Sequence, residues 1–379
     1  MSRSDEPGPG RSALRVLFAV RRDLRDRPGG DTVQIEGTAE ALRKLGVEVV
    51  VSSDDRIDLA PFSCVHLWHL QRTHETYVHL VHARTHGKPA VLTPIYWPDR
   101  PSPVAPPGVS RARRWREETK NAIRLILARS SGERRAVWAA LKSGWGRCRQ
   151  ELLELPAVIL PNSRAEVELL AREAPIGTRF QVVPNAVEPA LCRAALARRS
   201  RDTREGVLCV GHFDHRKNQL ALIGALRDME VQVTFVGEAR RLHQRYYRRC
   251  RRLATPRMRF LGKQPHEAVL DLMGRSRVHV CPSRFETPGL VNLEAAAMGC
   301  TVVVPDCPPV REYFQDDAIY IKSDDPGSIR PAILRALAAA PSHQLAERVV
   351  TEYTWEAAAR ATLPAYHQAI RLHGNSAAD

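Results

Sequence analysis

Short apolar runs alternate with longer amphipathic stretches along almost all of this 379-residue chain. A run too short for a helix and apolar on both faces reads as a strand buried in a parallel sheet, and the stretches between such runs read as covering helices. In the first half the candidate strands are Leu14–Val20, Val47–Ser52, Cys64–Leu70, Ala90–Ile95, Ala157–Leu160 and Phe180–Val183. Between the first two, Asp31–Leu45 places Val33, Ile35, Ala39, Leu42 and Leu45 at helical spacing and stops at Gly46, which completes a β-α-β unit. A polar, arginine-rich stretch, Ala194–Glu205, interrupts the pattern. It then restarts with Val207–Val210, Val231–Val236, Met258–Leu261, Val278–Cys281, Thr301–Val304 and Ile319–Ile321. The expected organisation is α/β: a tail over 1–12, a first Rossmann-like domain over 13–200 carrying a basic insertion at 101–150, and a second Rossmann-like domain over 201–350.

No apolar run is long enough to span a bilayer. Leu14–Val20 lacks a cleavage site and runs straight into Arg21 and Arg22, so it reads as a strand and not as a leader. Eight cysteines without a C-x-x-C pair read as small core hydrophobes in a reducing cytosol, which makes the expected location cytoplasmic. The excess of 57 Lys and Arg over 42 Asp and Glu, a formal +15, favours a partner bearing negative charge: nucleic acid, anionic lipid or a phosphorylated ligand.

The run Cys281–Cys300 narrows that choice. A strand ends at Cys281, a turn contains Pro288 and Gly289, and a helix follows from about Leu290 to Gly299. The free N–H groups of Gly289, Leu290 and Val291 and the positive end of the helix suit a diphosphate. Glu286 precedes this helix and Glu294 lies inside it, so the two carboxylates address different places around one pocket.

This stretch resembles the E-x7-E motif of retaining GT-B glycosyltransferases of family GT4, the glycosyl transferases group 1. Val207–Asn218 resembles the same family's strand-to-helix element whose basic pair grips the leaving diphosphate. Lys217 stands at the lysine position. His212 replaces the arginine, which implies a weaker, pH-sensitive grip, with Arg216 as a compensating cation. Gly29 and Gly30 match the glycine loop that borders the interdomain cleft. Val182–Val187 resembles the hinge segment, and Tyr353–Trp355 the start of a terminal helix, here 351–379, that crosses back to the first domain. Relatives carry a histidine after the fourth strand, where this chain reads LTPIYWPD, and either Tyr96 or Asp99 takes that space on the acceptor side.

The resemblance implies transfer of a hexose from a nucleoside diphosphate sugar to a hydroxyl acceptor, with retention and with no cofactor or metal. Glu294 would hold the ribose and Glu286 the donor sugar near its anomeric centre, as binding group or as nucleophile. The donor base (UDP, GDP or ADP), the sugar and the acceptor stay open. A nucleotide-sugar epimerase or hydrolase on the same frame, a nucleic-acid-associated protein, and a DNA-modifying sugar transferase are the alternatives.

Two basic stretches and one histidine cluster remain. Residues 109–150 mix twelve basic side chains with Trp115, Trp138 and Trp145, a composition that fits either peripheral contact with an anionic membrane or an insertion packed on its domain. Arg240–Arg257 holds eight arginines around Tyr246 and Tyr247 and reads as solvated surface or a phosphate contact. His79, His82 and His86 share a helix face without a cysteine or carboxylate at ligand spacing. No D-x-D, Walker A or H-E-x-x-H sequence occurs.

Overall fold

The computed structural model describes residues 14–97, 119, 123, 131–177, 179–198, 204–322 and 324–376. The first domain runs β1 (Arg15–Ala19), α1 (Gly30–Lys44), β2 (Glu48–Ser52), β3 (Cys64–Trp68), α2 (Thr73–Thr85), β4 (Ala90–Thr93), α3 (Ser131–Ser143), α4 (Trp145–Glu154), β5 (Val158–Ile159) and α5 (Arg164–Ala171). Its five parallel strands lie in the order β2-β1-β3-β4-β5. The central strands β1, β3 and β4 are buried almost throughout, as strands covered on both faces must be.

Phe180–Val183 does not extend this sheet as a strand. It contributes one bridge, Phe180 to Ile159, because β5 is cut to two residues between Pro156 and Pro161.

The second domain begins with α6 (Pro189–Ala197) and continues through β6 (Glu205–Val210), α7 (Gln219–Leu226), β7 (Val233–Val236), α8 (Gln244–Leu253), β8 (Met258–Phe260), α9 (His266–Arg275), β9 (Ser276–Val280) and α10 (Leu290–Ala297). It ends with β10 (Thr301–Pro305), α11 (Pro308–Phe314), β11 (Ile319–Ile321), α12 (Ile329–Ala338) and α13 (His343–Glu352), and its sheet has the order β11-β10-β9-β6-β7-β8. Cys192 and Ala195 of α6 pack with Leu270, Met273 and Leu293. Packing of the second domain therefore starts ahead of the polar stretch Ala194–Glu205, because the apolar face of α6 is buried against α9.

The last helix, α14 (Trp355–Ser376), returns to the first domain. A Cβ on Gly37 of α1 would come within 2.5 Å of the Trp355 ring, so the glycine is what lets the two helices meet. Tyr366 is fully buried, and its hydroxyl lies 2.7 Å from His66 Nδ1 in the middle of β3. Burying an aromatic side chain this completely contributes roughly 1.5–3 kcal/mol, which roots the crossover in the first core.

The domains also meet directly. Glu312 of α11 accepts the N–H groups of Arg164 and Ala165 at 2.8 and 2.9 Å, capping α5 of the other domain. The Tyr313 hydroxyl accepts from Asn185 N at 2.8 Å and donates to Asn162 O at 2.6 Å.

Candidate active site

In each sheet the strand order reverses beside its first strand, between β1 and β3 and between β6 and β9. Such points open a crevice beyond the carboxyl ends of the strands. Four segments reach these two crevices: Gly29–Gly30 after β1, His69 after β3, His212–Asn218 after β6 and Pro282–Gly289 after β9. The two sides approach each other closely, since a Cβ on Gly30 would lie 3.9 Å from Leu290 Cδ1 and one on Gly29 would lie 3.9 Å from Arg240 Nη2.

On the second-domain side Glu286 and Lys217, which the family resemblance assigns to one pocket, lie side by side. Lys217 Nζ stands 2.6 Å from Glu286 Oε2, and Arg216 Nη1 is 3.6 Å from Oε1. Glu286 is only 8% exposed. Burial alone would push its carboxyl up, but Lys217 and then Arg216 outweigh that and hold it well below the usual carboxylate range. Reciprocally, burial lowers Lys217 while Glu286 more than restores it, so the ammonium stays charged. The loops that carry these groups are tied together, with Arg284 N donating to Arg216 O and Lys217 N donating to Asp214 Oδ1 at 2.8 and 2.7 Å.

Gly289 sits at φ 87°, where a side chain is strained, and a Cβ there would strike Asn292 Nδ2 and Glu286 Cγ at 2.8 and 2.9 Å. The first backbone bonds of α10 run from Asn292 and Leu293 to Gly289 O, so the N–H groups of Gly289, Leu290 and Val291 precede the helical ladder. Glu294, one helical turn further on, is buried and pairs with His266 at 2.7 Å. That bond raises the half-exposed imidazole above its ordinary value.

His212 lies beside this cluster in a state that differs from a phosphate-gripping cation. Burial first and the Arg240 guanidinium second push its imidazole down, so it is neutral at physiological pH. Its Nδ1 is buried and has no hydrogen-bond partner among the described residues. The cations beside Glu286 are Lys217 and Arg216, with Arg240 nearer His212 and Gly29.

The first-domain side is built from residues scattered in sequence. Buried Arg21 bonds Asp31 Oδ2 at 2.6 Å and Asp23 Oδ1 at 2.7 Å, and its Nη2 donates to Arg27 O at 2.7 Å, which fixes the glycine loop. His69 is 9% exposed, holds a left-handed φ of 81° and has a buried Nδ1 with no hydrogen-bond partner among the described residues. Burial lowers it to about 4 despite neighbouring Asp31. Its ring meets Trp97 edge-on at 5.7 Å, and the Arg216 guanidinium lies over that indole at 5.4 Å. Trp97 packs against the cores of both domains and so links the two crevices.

Tyr96 does not line the acceptor side. It is buried, with its N–H on Glu166 Oε1 at 2.6 Å and its hydroxyl on Glu173, because the turn after β4 folds the ring under the sheet beside Arg149. Asp99 lies outside the described residues. Sequence reasoning passes over Trp97, His69, His266 and Asn185, whose Nδ2 donates to Thr287 O at 2.9 Å next to Glu286. His69 lies near the end of the candidate strand Cys64–Leu70 and Trp97 two residues beyond Ala90–Ile95, and a polar or aromatic residue near the carboxyl end of a strand is the available signal.

Within the basic insertion, Trp145 is buried while Trp138 is 62% exposed. Arg149 is also buried, paired with Glu173, so this part of the segment packs on the domain; Trp115 lies outside the described residues. His82 Nε2 is 2.9 Å from Ile57 O, and among the described residues no three metal-ligating side chains converge. All eight cysteines are buried and unbridged.

The family model described as glycosyl transferases group 1 matches residues 197–351, the span that carries Lys217, Glu286 and Glu294. The chain holds a group 1 glycosyl transferase domain. Among curated relatives, it is 28% identical over 211 residues to glycogen synthase of Mycobacterium tuberculosis strain H37Rv, covering 50% of this chain and 49% of that protein. It is 23% identical over 203 residues to a phosphatidylinositol N-acetylglucosaminyltransferase subunit of Arabidopsis thaliana, covering 52% and 45%. The chain thus spans about half the length of the curated relatives it matches. Sucrose-phosphate synthase from Thermosynechococcus elongatus superposes with a TM-score of 0.70 at 17% identity, over 95% of this chain and 100% of that one. Anabaena HepE in complex with UDP gives 0.59 at 14% identity, over 97% and 98%. The group 1 domain and the domain before it therefore form a GT-B fold.

Proposed function

We propose that the group 1 domain binds a nucleoside diphosphate sugar and that the whole chain transfers its hexose to a hydroxyl acceptor in the cleft, with retention and without a metal. The observation that carries this reading is the buried Lys217, Glu286 and Arg216 cluster set beside the start of α10 and facing Gly29–Gly30. Lys217 and Arg216 together outweigh the single Glu286 charge, so a diphosphate meets net positive charge as well as the N–H groups of Gly289, Leu290 and Val291. That set of donors does the work a divalent ion would do on the leaving group. Neutral His212 serves there as a hydrogen-bonding group.

Glu286, held ionised by two cations, is a weak base and a weak nucleophile at neutral pH. It suits a group that accepts hydrogen bonds from sugar hydroxyls, with the departing phosphate taking the acceptor proton on the same face. Glu294 suits the ribose diol. Domain closure would exclude water from the reacting sugar. UDP is the first base to try, because it is bound in the HepE structure.

The test combines binding and product analysis. Calorimetry with UDP-, GDP- and ADP-glucose should give affinity for at least one, weakened at least tenfold by Glu294→Ala. Turnover should persist in EDTA, and NMR of the product should show the anomeric configuration of the donor. An inverted product or an absolute metal requirement removes those parts of the reading. Release of free sugar alone, unchanged by added acceptors, would make the protein a hydrolase.

A further inference from the structure

We infer that the arginine face of α8 docks the protein on an anionic lipid bilayer, a contact independent of the transfer reading. Arg245, Arg248, Arg249 and Arg252 stand at i, i+3, i+4 and i+7 of this helix, and all four are exposed. That spacing gathers them on one face, opposite Tyr246 and Cys250, which are buried in the second core. Among the described residues nothing neutralises the stripe. No Asp or Glu occurs between Glu238 and Glu267, and among the described residues no carboxylate pairs with any of the four. Like charges at this spacing repel each other, so an anionic surface relieves a cost the free protein carries.

A bilayer fits this face better than a nucleic acid does. Sequence-tolerant nucleic-acid binding relies on aromatic rings free to stack bases. Here both tyrosines of the helix are committed inward: Tyr247 packs on Phe213 at 4.8 Å, and the Tyr246 hydroxyl accepts Leu220 N at 3.0 Å. The uncovered apolar group at the start of the stripe is instead aliphatic. Leu242, in the turn Arg241–His243 that leads into α8, is 92% exposed, an apolar point set among cations as in interfacial elements. The contact is peripheral, since among the described residues no helix is long and apolar enough to cross a membrane. Arg240, immediately before this turn, approaches Gly29, so the stripe begins at the mouth of the cleft.

The test is co-sedimentation of the full chain with phosphatidylcholine vesicles, with and without about 30% phosphatidylserine. The protein should pellet with the anionic vesicles only and be released by roughly 0.5 M salt. Each arginine near such a surface strengthens partition by about fivefold, so replacing all four of Arg245, Arg248, Arg249 and Arg252 with Gln should weaken it at least a hundredfold. Leu242→Gln should weaken it a few-fold. Both variants should keep the wild-type melting temperature and the nucleotide-sugar turnover measured without vesicles. Failure of the wild type to bind anionic vesicles, undiminished binding by the four-Gln variant, or tighter binding to a single-stranded oligonucleotide than to vesicles would overturn the inference.

Discussion

The two crevices that face each other across the cleft are built on opposite plans. In the second domain the charged groups come from two continuous runs, Val207–Asn218 and Cys281–Cys300, each a strand end followed by a helix start. In the first domain the crevice is lined from three separate segments: Arg21 and Asp31, ion-paired across the β1–α1 connection, His69 after β3, and Trp97 after β4. A ligand as constant as a diphosphate can be met by a compact local device, whereas a variable partner is met by side chains the fold assembles from a distance.

Breaking the second-domain device should have the largest effect. Lys217→Ala removes the main counter-charge to a buried carboxylate, and turnover should fall by roughly 10²–10³-fold. Breaking such a pair costs about 3–5 kcal/mol, read by chemical denaturation at pH 7. The sign of the pH dependence follows from Glu286. Its folded value is depressed, so its stabilisation is present above the unfolded value, near 4.5, and is lost as pH falls towards the folded one. The gap between wild type and variant should therefore narrow in acid, and a gap constant from pH 7 to pH 3 would refute the pairing.

Gly289→Ala tests the same side through the backbone. The clash with Asn292 and Glu286 at a left-handed φ should cost about 2 kcal/mol and weaken nucleotide binding, whereas an unaltered melting curve would show that the turn relaxes freely.

On the first-domain side, His69→Phe sharpens the comparison. If that crevice serves the acceptor, donor affinity should stay within twofold while transfer falls about tenfold. Equal loss of both would merge the two crevices into one function.

The smallest effect is expected for His266→Ala, because the imidazole is half exposed and screened: below about 1 kcal/mol. Its folded value is raised, so its contribution is present below about pH 6.5 and disappears as pH rises through the folded value. Melting temperatures of wild type and variant should differ at pH 6 and converge by pH 9.

The same contrast separates what is legible in the sequence from what is not. Ile319–Ile321 and the start of β3 at Cys64 are legible because a parallel strand is apolar on both faces whatever its neighbours. Glu286 and Gly289 are legible because three residues place them in one turn, and Lys217 because Val207–Asn218 resembles an element of the same family as that turn. Tyr96 misleads because its direction depends on Glu173 and Arg149, more than fifty residues away, and the failed strand at Phe180 depends on how short its neighbour is. His69 is hidden inside the apolar run Cys64–Leu70: its Nδ1, buried without a hydrogen-bond partner among the described residues, emerges only in the fold.

The return of α14 has a mechanical corollary. Because β1 and α14 both pack in the first domain, the chain passes between the domains twice, and Val187 N bonds Tyr353 O at 2.9 Å where these two links run side by side. A body hung from paired straps behaves as a door on its jamb: twisting and sliding are resisted, and swinging about one axis is the soft motion that remains.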